Sequence, residues 1–108
     1  MCIRDRSGTV SVALLVTLEA KPGKEEEVAR FLEGGRSLVE DEPDTVTWYA
    51  VRQGQTTFGI FDTFAGDDGR QKHLSGAVAQ ALGEITEELL AAPPDIRPVD
   101  VIAAKIPG

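Results

Sequence analysis

Apolar positions along the first 64 residues follow two spacings in turn, and the switches between them sketch a fold. Ser11 to Leu18 reads as a strand: Val12, Leu14, Val16 and Leu18 fall on one face, Ala13, Leu15 and Thr17 on the other. Both faces are mostly apolar, so both are expected to be covered. Turn chemistry follows at Lys21-Pro22-Gly23-Lys24, and Glu25, Glu26 and Glu27 suit the positive end of a helix. Val28, Phe31, Leu32, Leu38 and Val39 then recur at helical spacing as far as Glu40. Gly34-Gly35 inside this stretch costs about 1 kcal/mol per glycine relative to alanine, which predicts a bend or a closely packed backbone there.

Glu42-Pro43-Asp44 ends the helix. Thr45 to Arg52 is a second strand, rich in β-branched and aromatic residues. The short Gln53-Gly54-Gln55 connection predicts an antiparallel hairpin with a third strand, Thr56 to Phe64. After the turn Gly66-Asp67-Asp68-Gly69, a helical turn carries Arg70 to Leu74, and Ser75 is a plausible N-cap for a longer helix to Leu90. Its stripe is Val78, Ala81, Leu82, Ile85 and Leu89, and Pro93-Pro94 stops it. Arg97 to Lys105 is the last strand, before Pro107-Gly108. The order β-α-β-β-α-β predicts an α+β, ferredoxin-like subunit with an antiparallel four-stranded sheet.

Such a subunit has more apolar sheet than its helices can hide. Two helices cover one face, yet the second strand alternates Val46, Trp48 and Ala50 with Thr47, Tyr49 and Val51. The third strand sets Phe58, Ile60 and Phe64 on one side and Phe61 on the other. An antiparallel sheet with one wet face should alternate apolar with polar, and a large exposed patch marks an interface. The expectation is a homodimer packed sheet to sheet; the alternative is that the threonines and Gly59 keep the second face wet.

Composition narrows the partners. The chain of 108 residues is one domain, and its 42% apolar and 27% charged residues are those of a globule. Residues 9–108 are taken as that domain. Residues 1–8 are set aside as a leader, because Met1-Cys2-Ile3-Arg4-Asp5-Arg6-Ser7 has no periodicity and resembles a vector remnant. With 18 acids against 11 bases the net charge is −7, which repels polyanions and argues against nucleic acid. Val12 to Val16, the longest apolar run, is too short to span a membrane. The lone Cys2 permits no internal disulfide and, with no secretion signal, fits the cytoplasm. One histidine and one cysteine cannot build a zinc site, and neither a phosphate-binding glycine loop nor a nucleophile elbow is present.

Four stretches resemble the antibiotic biosynthesis monooxygenase family of dimeric α+β barrels. They are Leu18-Glu19-Ala20-Lys21-Pro22-Gly23-Lys24-Glu25, Asp44-Thr45-Val46-Thr47-Trp48-Tyr49, Asp62-Thr63-Phe64 and His73-Leu74-Ser75. The resemblance runs from about Val10 to Ile106. It implies oxidation of a small aromatic or quinol by dioxygen, without metal, flavin or other cofactor, in an apolar cavity between sheet and helices. The protein would then deprotonate, orient and exclude water. The sequence departs from the haem-degrading branch: it has no asparagine, His73 stands near that branch's tryptophan, and the axial-ligand region reads Leu82-Gly83. The asparagine, tryptophan and tyrosine set of the polyketide-tailoring branch is likewise not reproduced.

On this basis His73 is the candidate catalytic base, since its unperturbed pKa lies close to neutrality. The competing reading is a histidine that simply bonds a carboxylate such as Asp62. Trp48, Tyr49, Phe58, Phe61, Asp62 and Phe64 are the candidate substrate-binding residues, although Trp48 and Tyr49 point to opposite faces and the phenylalanines also suit a plain core. Asp62 is the anomaly: a carboxylate on the Phe58/Ile60/Phe64 face needs His73, Arg70 or a backbone cap as partner, or else reaches water at the strand end. Two other functions stay open: a non-catalytic small-molecule-binding or stress-associated barrel, and an isomerase or decarboxylase on the same fold.

Overall fold

The computed structural model describes residues 10–106. The presumed leader with Cys2, and Pro107-Gly108, lie outside the described residues. The chain runs β1 (Val12–Glu19), α1 (Glu25–Val39), β2 (Thr45–Arg52), β3 (Thr57–Phe64), α2 (Asp67–Leu74), α3 (Ala77–Leu89) and β4 (Asp95–Asp100). The strands form one sheet in the order β2-β3-β1-β4, with every neighbouring pair antiparallel. This is the ferredoxin-like βαββαβ arrangement, with α2 and α3 sharing the second helical position.

All helices pack on one face. Leu14, Leu18, Phe58 and Phe64 from the sheet meet Val28 and Leu32 of α1 and Leu82 and Leu89 of α3. Each of these buried side chains contributes about 1.5–3 kcal/mol of hydrophobic stabilisation. The other face carries a row of directly paired residues across three strands, Tyr49–Phe61–Leu15. Tyr49 is 57% exposed, Leu15 43% and nearby Val51 47%. Polar chemistry begins one row along, where the hydroxyls of Thr47 and Thr63 bond each other at 2.6 Å.

The structure departs from the periodicity in three places. Ser75 does not cap α3: its hydroxyl donates back to the carbonyls of Gln71 and Lys72 and closes α2, and Gly76 is the N-cap residue of α3. The last strand begins at Asp95 and ends at Asp100, five residues short of Lys105, because β1 has no residue left to pair beyond Val12. Val101 adds a single bond to the Ser11 carbonyl, after which Ile102 stands almost wholly exposed. Finally, the close neighbour at Gly34-Gly35 is a side chain rather than a backbone. A Cβ on Gly35 would stand 3.3 Å from the Trp48 ring, whereas one on Gly34 would meet nothing.

Candidate active site

The anomaly on β3 marks the most unusual chemistry in the molecule. Asp62 lies in the middle of the sheet, paired with Leu14 on one side and Trp48 on the other, and is 1% exposed. It does not reach water at the strand end. Its Oδ2 lies 2.8 Å from Nε2 of His73, which α2 carries over the sheet. Arg70, the other side-chain partner considered, turns elsewhere: it pairs with Asp67 and donates to the carbonyls of Ala13 and Val99, tying α2 to the β1–β4 seam.

His73 is 7% exposed and is held at both nitrogens. Its Nδ1 lies 2.6 Å from Oε1 of Glu42, in the loop before β2, and Thr45 Oγ1 donates to the same oxygen at 2.8 Å. The ring is tilted against Phe64, centroids 5.4 Å apart. With a carboxyl oxygen at each nitrogen, the arrangement suits the protonated imidazole, which donates from both. Burial pushes its pKa down, but the hydrogen bonds and charges of Asp62 and Glu42 outweigh this and leave it raised above 6.5. Both ring nitrogens are thus taken up by protein carboxyl groups.

Close backbone approach makes this arrangement possible. A Cβ on Gly69 would stand 3.0 Å from the Asp44 carbonyl, so glycine is what lets α2 settle on the loop that supplies Glu42. At β2, Val46 is the extra residue of a bulge, since Thr45 pairs with Phe64 and Thr47 with Thr63.

Two clefts lie near the cluster, and only the smaller has residues of the cluster in its lining. One of about 330 Å³ is bordered by Glu42, Lys72, His73 and Ala77. The larger, about 460 Å³, lies between α1 and the β2 side of the sheet. Leu32, Trp48, Ala50 and Phe58 line it, with the charged Glu33, Arg36 and Arg52 around them. The sequence-derived candidates therefore separate into three groups. Trp48 and Phe58 wall the larger cleft, Asp62 and Phe64 lie deeper beside His73, and Tyr49 and Phe61 face away on the uncovered side. Glu42 was missed. It stands 31 residues from His73 and reads as a helix-ending acid beside Pro43, so only the fold brings the two together. Among the described residues no cluster of His, Cys, Asp and Glu is arranged to hold a metal ion, and no helix is long and apolar enough to cross a membrane.

Neither a protein-family model nor a curated protein matches the sequence. Solved structures do. The NE2512 protein of Nitrosomonas europaea, of unknown function, is 44% identical and superposes with a TM-score of 0.91, over 94% of this chain and 98% of that one. The chain belongs to the same family as NE2512. More distant structures share the fold alone. A protein of Caulobacter crescentus provisionally named an antibiotic biosynthesis monooxygenase matches at 17% identity and TM-score 0.74, over 94% of this chain and 99% of its own. A second protein so named, from Nitrosomonas europaea, matches at 12% and 0.77, over 87% and 92%. The chain thus shares its fold with proteins provisionally named antibiotic biosynthesis monooxygenases, the fold that the four sequence stretches implied.

Proposed function

We propose that the protein oxidises a small aromatic or quinol substrate with dioxygen and no added cofactor, the ring lying in the larger cleft between α1 and the sheet. The observation that carries this reading is the pairing of an aromatic-walled cleft, Trp48 and Phe58, with a fold shared by proteins provisionally named monooxygenases. The chemistry balances without an external reductant: a quinol and one dioxygen give a hydroxyquinone and one water, the substrate supplying all four electrons. In this reading His73 is a positioning residue that fixes the Asp62 carboxylate, rather than the base itself. The working form is a homodimer of the cytoplasm, packed through Tyr49, Phe61, Leu15 and Val51, whose exposure resembles an interface more than a wet face.

Oxygen-electrode assays with hydroquinone, a naphthoquinol and anthrone test it, using chelator-treated protein. Uptake of one dioxygen per substrate is expected, slowed by His73→Ala. Protein inert toward the whole panel would count against oxygenation. The engagement of both His73 nitrogens favours a second reading, a binding module without turnover, which would give ligand-induced thermal shifts and no oxygen uptake.

A further inference from the structure

Two buried polar side-chain atoms pair with no protein group among the described residues, Asp62 Oδ1 and Trp48 Nε1. Native interiors rarely leave such atoms unpaired. These two belong to residues directly opposite each other on β3 and β2, on the same face of the sheet, where opposed Cβ atoms stand about 4.5–5.5 Å apart. Their hydrogen-bonding characters are complementary, since a carboxylate oxygen accepts and an indole N–H only donates. They do not bond each other.

Both are also held in orientation. Oδ2 of Asp62 is bound to His73, which Glu42 and Thr45 hold in turn, so the carboxylate is fixed with Oδ1 left over. The far edge of the Trp48 indole lies against Gly35 of α1, and the same ring walls the larger cleft. A single atom that accepts from the indole and donates to the carboxylate would satisfy both, and the common organic group that does so is a hydroxyl. A carbonyl would leave Asp62 unpaired, an ammonium would leave Trp48 unpaired, and an ether has no proton to give.

We propose that Asp62 Oδ1 and Trp48 Nε1 form a clasp for one hydroxyl of a phenolic or enolic ligand seated in the α1 cleft, the indole donating to the hydroxyl oxygen and the hydroxyl donating to the carboxylate. This rests on reading that cleft as the ligand chamber and requires the hydroxyl to enter past the Trp48 ring, since Asp62 does not line the cleft and both atoms are buried; it requires no turnover.

The chain has one tryptophan, so one indole ¹⁵N–¹H resonance reports on the clasp. Under argon, hydroquinone, 4-methoxyphenol and 1,4-dimethoxybenzene are titrated in turn. The two phenols should shift that resonance and bind, and the diether should bind about tenfold more weakly, the value of one or two hydrogen bonds. By calorimetry, Trp48→Phe should weaken 4-methoxyphenol several-fold while leaving the diether unchanged. Equal binding of all three probes, or an indole proton that contacts only a persistent buried water at saturating phenol, would overturn the clasp. Since oxygen is absent, selective binding without later oxygen uptake would remove only the oxygenase reading, whereas uptake without hydroxyl selectivity would remove only the clasp.

Discussion

Phe61 and Asp62 are neighbours on β3, yet they face opposite ways into unlike surroundings. Asp62 looks toward the helices, where α2 places a histidine on it and the β2–β3 ladder places Trp48 opposite. Phe61 looks to the uncovered side, in a row with Tyr49 and Leu15 that no helix hides. The apolar residue is on the exposed face and the charged one in the core, the reverse of what burial alone would select. Each inversion has its own reason: a buried charge persists when it is paired and hydrogen-bonded, and an exposed apolar row persists where another surface covers it. Under the proposed function, the covered face is the place for the chemistry and the open face the place for the assembly.

The strongest way to break the comparison is to unpair the covered face. His73→Ala leaves Asp62 without its partner and Glu42 without one of its two, so an unfolding free energy lower by about 3–5 kcal/mol is expected in urea titrations. Phe58→Ala should cost a similar amount, about 3–5 kcal/mol, through the cavity it opens. Gly69→Ala is gentler. Its Cβ would press on the Asp44 carbonyl and push α2 from the Glu42 loop, and about 1–3 kcal/mol should be lost, with a shifted His73 ring resonance as the local sign. On the open face Tyr49→Ala should change the stability of an isolated subunit by less than about 0.5 kcal/mol. It should, however, abolish the rise of melting temperature with protein concentration that a dimer shows.

The smallest effect is on pH dependence. His73 has a folded pKa raised above 6.5, so its stabilisation is fully present below 6.5 and fades as pH climbs through the higher folded value. Thermal melts of the native chain should lose stability over that rise relative to His73→Ala, which lacks this slope.

Much of this was legible because local patterns and tertiary structure agree. The bounds of β2 follow from its run of β-branched and aromatic residues, and its pairing with β3 from the short connection. Asp62 was visible as a charge on an apolar face, and His73 as one possible partner. What stayed hidden depends on three dimensions. Glu42 looks like any acid at a helix end, and its contact with His73 needs α2 to dock on the Asp44 loop through Gly69. Ser75 misleads because a hydroxyl serves as well at the end of one helix as at the start of the next, and a single intervening glycine decides which. The overlong last strand has a similar cause: its residues remain strand-like after its partner has run out.

Sedimentation of the native chain at micromolar concentration tests the division of labour between the two faces most directly. A species of twice the chain mass, reduced to single mass by Tyr49→Glu with Asp62 and His73 still paired, is the expected result. A stable single subunit would contradict it, since the Tyr49–Phe61–Leu15 row would then be facing water with nothing to cover it.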